Sequence, residues 1–247
     1  MVSYDFRAPR LFLDAPLETG GRVALDRAQA NYLLNVLRLK GGDDVLVFNG
    51  REGEWRARLV ETGRKAAELA LAERTRPQTA SPDLLYCFAP LKAARLDYMV
   101  QKAVEMGVGR LKPVFTRRTQ AARVNLERMW ANAIEAAEQC GVLSIPAVEP
   151  DEDFATALGC LEPERLIVFC DEDAPVANPV AALEQAGAAE KLAVIVGPEG
   201  GFDEAERSLV LGLPRVVRLS LGPRILRADT AAVAVLALVQ AVLGDWR

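Results

Sequence analysis

Leu192-Ala193-Val194-Ile195-Val196-Gly197-Pro198-Glu199-Gly200-Gly201-Phe202-Asp203-Glu204-Ala205-Glu206 is the stretch whose reading decides the fold. Its five leading apolar residues read as a strand buried on both faces, the pattern of a parallel sheet. The strand breaks into a glycine-rich loop. Asp203, with Glu206 three residues on, then reads as an N-cap with its capping-box partner, so a helix starts at once. A second break, Leu221-Gly222-Pro223-Arg224-Ile225-Leu226-Arg227, leaves the end of another apolar stretch and precedes a helix beginning near Asp229. Loops that leave the ends of buried strands are where an α/β sheet places a ligand. Paired glycines permit positive φ and close backbone approach, and the helix start offers unpaired N–H donors. Glycines alone would fit a plain strand-to-helix turn; Pro, Glu and two glycines after a continuous buried strand favour a ligand. Ile225 and Leu226 in the second loop predict the wall of an apolar pocket, with Arg227 at its edge.

Working outward, short apolar strands alternate with helices from Leu84 onward. The strands are expected at 84–89, 111–115, 166–170, 192–196 and 216–219, and the helices near 92–106, 125–140, 178–187, 203–212 and 228–243. That alternation predicts an α/β domain with a mostly parallel sheet covered on both faces. Upstream, strands are expected at 11–13, 22–25, 44–48, 54–60 and 67–71, divided by Gly20-Gly21, Gly41-Gly42, Asn49-Gly50 and Gly63. Asp26 is a predicted N-cap, with Ala30, Leu33, Leu34 and Leu37 at helical spacing. This predicts a small β-barrel with one helix. Residues 75–82 have linker composition, so the expected domains are 1–76 and 77–247.

The chain has 247 residues, 51% apolar and 26% charged, ordinary values for a globular protein with a sizeable core. Thr230 to Gly244 is apolar but shorter than the roughly 20 residues a bilayer span needs, so it is expected to be a buried helix. No apolar signal core follows the first charges, and the protein is expected to be cytoplasmic. Four separated cysteines form no C-x-x-C pair, and with no histidine in the chain, His-based triads and His-ligated zinc are excluded. No metal site is expected. Residues 92–128 carry nine bases against three acids, a local basic field on a chain of net charge −4. Such a field suits phosphate binding, and a solvated surface would serve it equally. Neither a dinucleotide fingerprint nor a P-loop is present.

The two loops together, Gly197-Pro198-Glu199-Gly200-Gly201-Phe202 and Leu221-Gly222-Pro223-Arg224-Ile225-Leu226-Arg227-Ala228-Asp229-Thr230-Ala231, resemble those of the ribosomal RNA small subunit methyltransferase E family. Pro9-Arg10-Leu11-Phe12, residues 36–43, Phe48-Asn49-Gly50, residues 101–108 and Glu135-Ala136-Ala137-Glu138-Gln139-Cys140-Gly141 follow in the family's order, so the resemblance covers nearly the whole chain. It implies a PUA-like β-barrel for RNA, then a SPOUT α/β domain tied in a deep trefoil knot. It also implies a homodimer that methylates N3 of a uridine in 16S ribosomal RNA, free or in the 30S subunit. The S-adenosylmethionine pocket would comprise Phe169, Cys170, Gly197, Pro198, Glu199, Gly200, Gly201, Leu219, Ser220, Leu221, Gly222, Ile225, Leu226 and Ala231.

Three positions depart from the family's pattern: Asn31 replaces a usual histidine, Val142 a usual arginine and Asp229 a usual glutamate. Arg227 is expected to stabilise the deprotonated base by its charge, and Glu199 to position it or accept its proton. Arg7, Arg10, Arg38, Lys40, Arg117 and Arg118 are the expected RNA contacts. Lys102 with Glu105 fits a helix-surface pair, Trp130 a core or dimer position, and Asp171-Glu172-Asp173 a solvated acidic turn. A non-catalytic RNA-binding protein of the same fold, or a methyltransferase of another RNA such as transfer RNA, remains open.

Overall fold

The computed structural model describes residues 8–63, 66–175 and 178–246. They form two compact units, one running to Ala80 and taking in Ala137–Ile145, the other formed by Ser81–Ala136 and the chain from Pro146 onward.

The first unit holds β1 (Arg10–Phe12), β2 (Arg22–Ala24), α1 (Arg27–Asn31), β3 (Asp44–Phe48), β4 (Glu54–Gly63) and β5 (Ala66–Arg76). Its sheet runs in the order β1-β3-β4-β5-β2, with β1 and β3 parallel and the other pairs antiparallel. Period-two alternation on β4 buries Trp55, Ala57 and Leu59 with Val45, Val47 and Leu69. Arg56 faces the other way and pairs with Asp44 across the strands at 3.2 Å. The Asp26 capping box forms, but α1 is short: the chain widens into a π-helical turn, Tyr32–Val36, closed by Leu37 N–H donating to Tyr32 O. The wider turn leaves Leu37 exposed where helical spacing puts it on the buried face.

Within this unit Arg10 is a correction. Rather than offering its charge to RNA, it is buried and donates from Nε to Glu54 Oε2 at 3.1 Å. Arg76 donates to both oxygens of the same carboxylate, at 3.0 and 2.6 Å. Burial pushes Glu54 up, but Arg76, Thr75 and Arg10 outweigh it and hold the carboxyl below its ordinary value.

The second unit contains β6 (Asp83–Phe88), α2 (Ala93–Glu105), β7 (Arg110–Phe115), α3 (Leu126–Cys140, whose last turn belongs to the first unit), β8 (Ala147–Val148), β9 (Glu152–Asp153) and α4 (Phe154–Gly159). It continues with β10 (Leu166–Cys170), α5 (Pro179–Ala186), β11 (Lys191–Val196), α6 (Glu204–Leu211), β12 (Val216–Leu219) and α7 (Ala228–Val242). The strands pair in parallel throughout, in the order β12-β10-β11-β6-β7-β8, with β9 beside β7. β11 is central and buried along nearly its whole length, as its unbroken apolar run requires. Thr230 to Gly244 supplies most of α7, which packs against α2, α5 and β11. Among the described residues no helix is long and apolar enough to cross a membrane.

What positions the site is register. Cys170 pairs with Leu219, and Phe169 with Ile195, so β10, β11 and β12 end together. Their three outgoing loops, from Asp171, Gly197 and Ser220, emerge side by side at one edge of the sheet.

Candidate functional site

A cleft of about 400 Å³ lies between those three loops. It is lined by Cys170, Gly197, Pro198, Glu199, Gly201, Leu219, Ser220, Leu221, Gly222, Ile225, Leu226 and Ala231, all of them expected from the sequence. Two expected residues lie outside the lining. Gly200 sits on the outer side of its loop, and Phe169 is fully buried beneath, its ring 5.1 Å from Phe202, which in turn stacks on Phe154 at 5.1 Å. That aromatic stack supports the glycine loop from below. A Cβ at Gly197 would stand 2.6 Å from the Phe202 ring, so no larger residue fits there. Gly201 takes φ +67 and donates its N–H to Pro198 O at 2.9 Å, a turn that favours glycine.

Directly after the loop, the Asp203 capping box forms as the spacing predicts: Glu206 N–H donates to Asp203 Oδ1 at 2.8 Å, and Asp203 N–H to Glu206 Oε2 at 2.9 Å. The Glu206 N–H holds the Asp203 carboxyl below its ordinary value.

Arg95, on α2, has no local signal in the sequence, yet it fastens both walls of the cleft. Its Nε and Nη2 donate to the two oxygens of Asp229 at 2.9 and 3.0 Å, and its Nη1 donates to Glu199. The bidentate pair is the strong form of such a contact. Arg95 beside it holds the Asp229 carboxyl below the usual range. Glu199 therefore lines the cleft as an ion-paired carboxylate.

The acidic segment after β10 is a second correction. Asp171 is not in a solvated turn: it is only 3% exposed. Its Oδ2 accepts from Arg218 Nε and Nη2 at 3.0 and 2.6 Å, and Arg207 stands 3.3 Å from its other oxygen. The cluster ties the end of β10 to β12 and α6. Glu172 and Arg207 also line the cleft without a place in the expected pocket, and so does Arg224, which lies within the second loop read from the sequence. The strand-end rule that found the glycine loop, applied to β10, points to Glu172, whereas Arg207, on α6, has no such signal. Burial and the Asp171 charge push the Cys170 thiol up to about 12, so it lines the cleft as a neutral group.

Arg227 is exposed at the N-cap position of α7, near Asp229 but outside the cleft lining, whose guanidiniums are those of Arg207 and Arg224. Arg38, in the left-handed region at φ 58, and Lys40 are exposed. Arg117 and Arg118 are exposed too, but each also holds the site's frame. Arg117 N–H donates to Glu206 Oε1 at 2.7 Å, and Arg118 Nη1 to Gly200 O at 2.7 Å. Arg7 lies outside the described residues. Lys102 pairs with Glu105 at 2.6 Å as its spacing predicts, and Trp130 is 39% exposed, which rules out the core. Among the described residues no group of three or more cysteines and carboxylates could hold a metal ion.

The lining is chemically divided. Pro198, Leu219, Leu221, Leu226 and Ala231 offer an apolar slot bordered by glycine backbone, while Glu172, Glu199, Arg207 and Arg224 bring both charge signs. Such a cleft suits a ligand with a flat apolar part and a zwitterionic part. Residues 78–240 match the profile of an RNA methyltransferase domain and residues 25–71 that of an RNA methyltransferase PUA domain. The ribosomal RNA small subunit methyltransferase E of Synechocystis sp. is 32% identical, covering 90% of this chain and 73% of its own. The chain belongs to the ribosomal RNA small subunit methyltransferase E family. The methyltransferase E of Rickettsia conorii is 29% identical over 94% of both chains. A crystal structure of the Neisseria gonorrhoeae methyltransferase E bound to S-adenosyl methionine superposes with a TM-score of 0.86, at 27% identity, over 98% of this chain and 100% of that one.

Proposed function

We propose that this chain, as a cytoplasmic homodimer, transfers a methyl group from S-adenosylmethionine to N3 of a uridine in 16S ribosomal RNA. The observation that carries the reading is the divided cleft at the joint ends of β10, β11 and β12, in a chain of this family. The residues present fit the cofactor: the apolar slot and glycine backbone suit an adenine, Glu172 or Glu199 an ammonium, and Arg207 or Arg224 a carboxylate. When bound, the cofactor supplies a methyl group made electrophilic by its sulfonium.

The rest is done by the chain. The glycine loop and the 220–227 loop hold the two reactants against each other and exclude water. Uracil N3–H is weakly acidic, and a guanidinium beside the base oxygens favours release of its proton to solvent water before the loops close. Arg227 has that role in this proposal, with Arg224 as the second cation at the mouth. Glu199, committed to Arg95, acts by positioning. The exposed Arg117 and Arg118 hold phosphates beside the extruded base, and the exposed Arg38 and Lys40 of the first unit hold phosphates of the same RNA. Tied threading of the segments around β10 to β12 into a trefoil knot belongs to the same proposal, as does pairing of two copies through a face that includes Trp130.

The test is mass spectrometry of ribosomal RNA from cells lacking the protein, before and after its return. A methyl group at N3 of one 16S uridine should vanish and reappear. Unchanged 16S RNA, with a methyl group lost from transfer RNA instead, overturns the assignment.

A further inference from the structure

Arg118 is an unusual surface arginine. Among the described residues no carboxylate pairs with it, and only its Nη1 is engaged, donating to Gly200 O at 2.7 Å and Phe202 O at 3.4 Å. Its aliphatic stem packs over Gly200. The loop that carries it is itself fixed. Thr119 N–H donates to Thr116 O at 3.1 Å and Thr116 N–H to Thr119 Oγ1 at 2.9 Å. Arg117 N–H is anchored on Glu206, the capping-box partner of Asp203 at the start of α6. A full positive charge is thus aimed at the back of the glycine loop whose front lines the cleft.

A guanidinium presents its five N–H donors in one rigid plane. Nη1 is spent on the loop, leaving the donors of Nε and Nη2 for an outside acceptor, and the missing carboxylate leaves the charge uncompensated. A phosphate oxygen matches both properties. Whichever ligand arrives first fixes the four-torsion side chain or the loop it holds, so the second ligand meets less disorder. We infer that Arg118 is a positioning residue that couples the two substrates, a phosphate of the RNA backbone on its outer donors strengthening cofactor binding in the cleft through the Gly200 and Phe202 carbonyls. By reciprocity the cofactor tightens RNA to the same extent. The inference rests on the proposed function and goes beyond it, since two independent sites would serve methyl transfer equally well.

Titration calorimetry with S-adenosylhomocysteine, which binds without turnover, tests it on the full chain with and without saturating 16S ribosomal RNA. Affinity should rise about five-fold or more when RNA is present. In Arg118→Lys the rise should disappear although RNA still binds, because an ammonium is a point charge that cannot hold two carbonyls and a phosphate in one plane. Arg117→Ala, which leaves the Arg118 plane intact, should weaken RNA but keep the rise. No rise in the unaltered protein, or a full rise in Arg118→Lys, overturns the coupling while leaving the cofactor site standing. Failure of the unaltered protein to bind S-adenosylhomocysteine at all overturns the proposed function itself.

Discussion

Arg95 and Arg227 both lie near Asp229 and differ in what they hold. Arg95 pairs with two carboxylates and braces the cleft, whereas Arg227 is exposed beside Asp229, and the proposed function gives it the base. Arg95→Ala should therefore weaken S-adenosylmethionine binding about ten-fold, the loss of roughly one charge-assisted contact, as titration calorimetry would show. Arg227→Ala should leave that affinity nearly unchanged and lower kcat by about 100-fold, the usual effect of removing a group that stabilises developing charge. A variant of Arg227 with full kcat would remove it from the chemistry. The cleft-lining glycines were legible because their signal is local, a break at the end of an apolar run. Arg95 was not, since its partner Asp229 lies 134 residues away and nothing near Arg95 announces it. Asp171 was misread for the same reason: three acids in a row look solvated until Arg218, 47 residues further on, is folded against them.

At the scale of elements, α6 shows why local capping rules work. Asp203 and Glu206 satisfy each other's backbone donors, and the helix starts where the glycine loop must end. Asp203→Ala should cost about 1 kcal/mol of stability, read from denaturant unfolding, and loosen the loop that follows β11. The central strands were equally legible, since β11 and β10 are uninterrupted apolar runs. The π-helical turn after Asn31 was not, because its residues keep α-helical apolar spacing and only the folded chain reveals the wider ring. α4 was missed for its shortness, with six residues and an Asp153 cap as its whole signal. The ion triad on β1, β4 and β5 yields a pH prediction. Glu54 is held below its ordinary 4.5, so its contribution is complete above that value and is lost as pH falls through the lower folded value. Glu54→Gln takes the shared negative charge from two buried guanidiniums and should destabilise the first unit by about 3–5 kcal/mol at neutral pH. The variant should also lose much of the acid sensitivity below pH 4.5, measured as unfolding midpoint against pH.

At the scale of the whole chain, the two units are not consecutive. The chain leaves the first unit after Ala80 and re-enters it for Ala137–Ile145, although no change of composition marks that return within the continuing periodicity of α3. The contacts made there are specific. Phe12 N–H donates to Glu138 Oε1 at 2.8 Å, Arg76 Nη2 to Gly141 O at 3.0 Å and Gln78 Nε2 to Ser144 Oγ at 2.9 Å, while Ala137 and Leu143 are buried. A fragment beginning at Ser81 keeps the seven-stranded sheet but strips these partners from 137–145, leaving polar groups unpaired and apolar side chains exposed. A loss of two to three kcal/mol is the expected scale, from about 1 kcal/mol per hydrogen bond plus the buried side chains. For a chain of this size that lowers the melting temperature by about 5 °C or more. Differential scanning calorimetry of the fragment against the full chain would show the drop, with dye binding to the newly exposed surface. Adding residues 1–80 as a separate peptide should restore part of it. A fragment that melts with the full chain would mean that the return segment contributes nothing, and that a single cut separates two independent domains.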